Sequence, residues 1–132
     1  MAVLRSTLLL SLALLGACAQ KPGTSVTLHQ KQQSQCPLTL HSGQQLILRM
    51  PSNPTTGFRW IIRDSAASVL HSLGPEVYSN PEDAGLVGSA GVSTWRFEAR
   101  QAGEGRLHLS YERPWEVGVV PAQRFDCRIR VK

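Results

Sequence analysis

Apolar and polar residues alternate along five runs of this chain. "QQLILRM" (44–50) sets Leu46, Leu48 and Met50 on one side, and "FRWII" (58–62) sets Phe58, Trp60 and Ile62 against Arg59. "VSTWRFEA" (92–99) places Trp95, Phe97 and Ala99 opposite Thr94, Arg96 and Glu98. "RLHLSY" (106–111) places Leu107, Leu109 and Tyr111 opposite Arg106, His108 and Ser110. "RFDCRIRV" (124–131) places Phe125, Cys127, Ile129 and Val131 opposite Arg124, Asp126, Arg128 and Arg130. A period of two predicts strands with one buried and one wet face. "VTLHQ" (26–30), "CPLTLH" (36–41) and "EVYS" (76–79) are weaker strand signals. Past the N-terminal segment no helical period extends over ten residues. "RDSAASVLHSLG" (63–74) comes nearest, as a turn of helix or a short strand. One sheet cannot bury its apolar face alone, so the pattern predicts an all-β protein, a β-sandwich of about seven or eight strands.

The connections carry more than turn chemistry requires. Loop one, "PSNPTTGF" (51–58), has Pro51 and Pro54 to fix φ, stiff β-branched Thr55 and Thr56 at its tip, and Gly57 to permit positive φ. Loop two, "SNPEDAGLVGSAG" (79–91), is long and glycine-rich, with Leu86 and Val87 near its tip. It is no phosphate loop, because no Lys-Ser/Thr follows and the chain continues as a strand. Loop three, "YERPWEVGVVPAQ" (111–123), sets Trp115 beside Pro114 and between Glu112 and Glu116. Such a tryptophan is either core or a contact anchor. In a Greek-key sandwich these three connections emerge at one end, as a binding edge of the antibody kind.

The start of the chain predicts export. "MAVLRSTLLLSLALLGA" (1–17) has an early arginine, a short apolar run and small residues, the layout of a signal peptide. Leu15-Gly16-Ala17-Cys18 resembles a bacterial lipobox, in which Cys18 would be acylated; cleavage after Ala19 is the alternative. The expected organisation is a signal peptide at 1–17, acylated Cys18 with its tether at 18–25, and one domain at 26–132. Localisation is then a lipid anchor at the outer membrane facing the periplasm, or release to the periplasm or the extracellular space. Processing before Cys18 would leave 115 residues, enough for a single core. Of the three cysteines, Cys36 and Cys127 remain as an even pair in an oxidising compartment. A bridge between them would close a loop of about 90 residues and stabilise by roughly 4–5 kcal/mol in the chain-entropy model; two buried thiols are the alternative.

Charge and catalytic chemistry add exclusions. Without Arg5 the net charge falls from +5 to +4, and the cations are scattered, so a solvated strand face is favoured over nucleic-acid binding. His29, His41, His71 and His108 are isolated, with no metal-ligand spacing between them. Gly88-Ser89-Ala90-Gly91 is not a nucleophile elbow. The expectation is no enzyme, no metal and no cofactor. The competing class is an envelope lipoprotein whose sandwich serves adhesion or assembly, with incidental loops.

"SNPTTGFRW", "GLVGSAG" and "YERPW", in this order, resemble chagasin-type inhibitors of papain-like cysteine peptidases, over most of residues 36–131. The second motif departs from the family's Gly-x-Gly-Gly, since Ala90 replaces the middle glycine. The resemblance implies an immunoglobulin-like sandwich whose loops enter the cleft of cathepsin L-like enzymes; the accompanying expectation is a monomer that touches a membrane only through its lipid and binds no nucleic acid. It implies that Asn53, Pro54, Thr55, Thr56 and Gly57 cover the catalytic Cys-His pair. Leu86, Gly88, Ala90 and Gly91 would grip one side of the cleft, and Arg113, Pro114 and Trp115 the other. By the same resemblance, Phe58 would pack under its own loop. A stiff wedge fills a cleft without aligning a carbonyl for attack, so it blocks the enzyme and is not consumed.

Overall fold

The computed structural model describes Gly16 and residues 24–80 and 91–132. Cys18, Leu86, Gly88 and Ala90, singled out above, lie outside the described residues. In chain order the strands are β1 (Ser25–His29), β2 (Leu38–Leu40), β3 (Gln45–Ser52), β4 (Arg59–Ser65), β5 (Leu70–Ser72), β6 (Val77–Ser79), β7 (Gly91–Ala99), β8 (Gly103–Glu112) and β9 (Gln123–Val131). They form two sheets. One runs β1-β3-β7-β5 with β6 also on β7, and the other runs β2-β9-β8-β4. Since β3 takes one side of β7, β5 and β6 share its other side, pairing with 97–99 and 92–94. Among the described residues, nine strands thus fill eight positions of an immunoglobulin-like sandwich.

The core is built by the alternation itself. Across β3 and β7 the register pairs Leu46 with Phe97 and Leu48 with Trp95. Across β8 and β9 it pairs Leu107 with Cys127 and Leu109 with Phe125. All eight are buried, with Leu28, Leu40, Ile129 and Val131 around them. Ile62 departs from the expected pattern. It pairs with Leu109 but stays 36% exposed. Its strand, β4, is an edge with no neighbour to cover it, and the register shifts between Ile62 and Asp64. Such a bulge twists an edge away from further pairing.

The segment 63–74 resolves into a turn and a short strand. Asp64 accepts the Ala66 N–H at 3.0 Å, Ala66 has φ 52°, and the Val69 and Leu70 N–H groups donate to the Ala66 carbonyl as β5 begins. A six-residue 3-10 turn, Gln30–Gln35, carries the chain between the sheets. It is wholly polar, with no apolar stripe to reveal it in the sequence. At its end Cys36 is bonded to Cys127, with Cα atoms 5.3 Å apart and a separation of 91 positions along the chain. The disulfide pins the entry to β2 onto β9, the strand it pairs with.

Register also decides which connections meet. Ser52 faces Gly91, Arg59 faces Glu112, and Gln123 faces Tyr111. The ends of β3, β6 and β8 and the starts of β4, β7 and β9 therefore share one end of the sandwich. The opposite end is closed by Gly43 N–H to Ala99 O at 2.7 Å and Lys132 N–H to Leu40 O at 2.9 Å.

Candidate functional site

Loop one closes on itself as a single 3-10 turn, Pro54–Thr56. Proline suits the first position, where no N–H is needed. The Thr56 N–H and the Thr56 hydroxyl both donate to the Asn53 carbonyl, at 3.2 and 2.7 Å. The Thr55 hydroxyl donates to Asn53 Oδ1 at 2.5 Å, and the Gly57 N–H donates to the Pro54 carbonyl at 3.0 Å. Gly57 ends the turn at φ 82°. Pro54, Thr55 and Thr56 remain exposed at the tip.

Loop three buttresses it. Arg113 Nε donates to the Thr56 carbonyl at 3.0 Å, its guanidinium lies 4.5 Å over the Phe58 ring, and Nη1 reaches Glu116 at 3.0 Å. One side chain thus joins the tip of loop one, the base of loop one and loop three. Trp115 is 65% exposed. Its ring packs on Gly57, where a Cβ would stand 2.1 Å from Cη2. The tryptophan is therefore an exposed blade resting on loop one, neither core nor free.

An aromatic floor lies beneath. Phe58 stacks on Tyr111 at 5.2 Å, and Trp60 meets Tyr111 at 4.8 Å. The Tyr111 hydroxyl accepts the Asn53 N–H at 3.1 Å, and Trp60 Nε1 donates to the Pro51 carbonyl at 2.8 Å. Sequence reasoning assigned Tyr111 to the core face only. Its link to Asn53 spans 58 positions and has no local signal.

Of loop two, the described residues contain its flanks. Gly91, expected as a contact residue, is buried. A Cβ there would lie 2.4 Å from the Tyr78 hydroxyl and 2.5 Å from the Ser79 carbonyl. Its glycine lets β6 approach β7, so in this structure it anchors the loop and presents no surface. Below it, the buried Ser93 hydroxyl donates to Glu76.

The end of the sandwich carries little chemistry. Among the described residues no cluster of His, Cys, Asp and Glu could hold a metal ion. The ionisable pair with shifted pKa values, Arg106 and Asp126, sits on the outer face of β8 and β9. That pair borders a depression of about 490 Å³ with Arg63, His108 and Arg124, away from the loops. What the loop end does offer is shape. The carbonyls of Asn53, Pro54 and Thr56 are all held by donors within the two loops. Drawing this turn out into the extended backbone that a peptidase needs would break those bonds.

A small β-sandwich that projects a stiff, self-bonded wedge and an exposed tryptophan from one end is built to plug a cleft, as a protein inhibitor does. The chain belongs to the chagasin family of peptidase inhibitors (I42), whose family model matches residues 39–129. It is an inhibitor and not an enzyme. It is 28% identical to chagasin of Trypanosoma cruzi over 97 residues, covering 70% of this chain and 86% of that protein. Its fold is similar to that of the cysteine protease inhibitor EhICP2 of Entamoeba histolytica. The TM-score is 0.67 at 21% identity, covering 82% of this chain and 96% of that one. It is similar also to PbICP-C, solved in complex with falcipain-2, with a TM-score of 0.52 at 16% identity over 82% of this chain and 89% of that one.

Proposed function

We propose that this protein is a reversible, tight-binding inhibitor of papain-like cysteine peptidases of the cathepsin L type, acting as a monomer. Loop one enters the cleft over the catalytic Cys-His pair, presenting Pro54, Thr55 and Thr56. Trp115, with Arg113 and Pro114 shaping its loop, lies against apolar surface on one side. Loop two, with Leu86, Gly88 and Ala90, closes the other side, and Gly91 holds its root. The observation that carries this reading is the bonding of Arg113 to Thr56, Phe58 and Glu116, which makes loops one and three one rigid body. Rigidity lowers the entropy lost on binding, and a compact turn does not present the extended backbone that attack needs.

Export and anchoring complete the proposal. Cys18 is acylated after removal of residues 1–17 and holds the domain at the outer membrane facing the periplasm. Cleavage after Ala19 would instead release it. The disulfide suits such an oxidising compartment. Fatty-acid labelling checks the anchor: label should be lost in Cys18→Ala.

The function is tested by titrating papain with the protein and following a small fluorogenic peptide. The expected result is stoichiometric, reversible loss of activity with the inhibitor intact on a gel. Full activity at micromolar excess, or cleavage at Thr55-Thr56, would refute it. Trp115→Ala is expected to weaken binding by about 2 kcal/mol or more, mainly through faster dissociation.

A further inference from the structure

The described residues leave eight large apolar side chains exposed, and besides Trp115 three fall on loop three: Val117 at 93%, Val119 at 55% and Val120 at 76%. Single exposed apolar residues are ordinary, whereas a contiguous cluster marks a surface that something covers. Between Glu116 and Arg124 this stretch has no charged residue.

The cluster is held at both ends. Upstream, the Glu116 N–H donates to the Arg113 carbonyl at 3.0 Å and the Val117 N–H to the Trp115 carbonyl at 3.1 Å. Downstream, the Ala122 N–H donates to the Tyr111 carbonyl at 2.9 Å. Gly118, at φ 78°, turns the chain between Val117 and Val119. Val119 and Val120 border a hollow of about 80 Å³ shared with Phe58 and Arg113, which sets these two valines beside the base of the wedge. Valine is stiff at χ1 and Pro121 fixes φ, so little freedom is lost on contact.

We infer that Val117, Val119 and Val120, exposed on the same loop as Trp115, form a second apolar contact that seats on an apolar wall beside the peptidase cleft and selects among peptidases. The inference rests on the reading that loop three meets the enzyme. The partner surface it fits is uncharged and apolar on the Trp115 side. A peptidase with a charged residue there is held less long, because covering a charge with valine leaves it desolvated and unpaired.

The test is the rate of dissociation from papain and from cathepsin L, for the wild type, V117S and the V117S/V119S/V120S variant. The triple variant is expected to leave at least one enzyme about 10- to 100-fold faster, with association little changed, and V117S to show part of that effect. Wild-type inhibition with the triple variant unchanged on both enzymes overturns this inference alone. A wild type that inhibits neither enzyme overturns the functional reading with it. A concentration-dependent dimer that V117S abolishes, with inhibition unchanged, assigns the valines to a second copy and also overturns it.

Discussion

At the scale of single residues, the wedge depends on two that look ordinary. Gly57 combines a left-handed φ with a Trp115 ring too close for any Cβ. Gly57→Ala should therefore lose about 1–3 kcal/mol and push the indole off its seat. Urea unfolding and tryptophan emission would show this together; an unchanged midpoint with an unchanged spectrum would contradict the packing. Arg113 is the second. Its planar fork serves Thr56 and Glu116 while its face covers Phe58. Arg113→Lys keeps the charge but loses that geometry. About tenfold faster dissociation from papain is expected, with only a small drop in melting temperature, because these groups are half-buried at the loop end and outside the core. Trp115 could be flagged from its polar, proline-bearing context. Gly57 could be read as a turn residue, but its second role, making room for a ring 58 positions away, has no trace in the local sequence.

At the scale of elements, alternation reports burial only where a strand has cover. β3, β7 and β9 bury the side chains that their period marks, because each has paired strands or a facing sheet around it. β4 has the same period and still exposes Ile62, because it is an edge with a bulge. The polar 3-10 turn Gln30–Gln35 has no periodic signal, yet it places Cys36 beside Cys127. In the chain-entropy model that bond restrains the unfolded chain by about 4–5 kcal/mol. Reductant should lower the urea midpoint accordingly. A midpoint indifferent to reductant, with the thiols shown to be free, would refute that contribution.

At the scale of the whole molecule, the ion pair with shifted pKa values lies away from the loop end. On the outer face of β8 and β9, Arg106 holds both oxygens of Asp126, at 2.8 and 2.5 Å. That hydrogen bonding holds the Asp126 carboxyl below its ordinary value near 3.8. A depressed carboxylate adds stability that is full above the unfolded value and lost as pH falls through the folded one. Both side chains are about half exposed, so solvent screening keeps the amount small. Asp126→Asn should accordingly be slightly less stable than the wild type at pH 7, with the gap closing toward pH 3, as read by urea unfolding.

The sandwich was legible in the sequence because a period of two is a local property: each strand declares its buried face within six or seven residues. The stiffness of loop one was legible for the same reason, since Pro54, Thr55, Thr56 and Gly57 act on their own dihedrals. Register and meeting points were not. Only the tertiary structure brings Arg113 onto Thr56, Tyr111 onto Asn53 and Trp115 onto Gly57. Those contacts depend on which strands pair and where each sheet ends, and that is decided by the packing of all the strands at once.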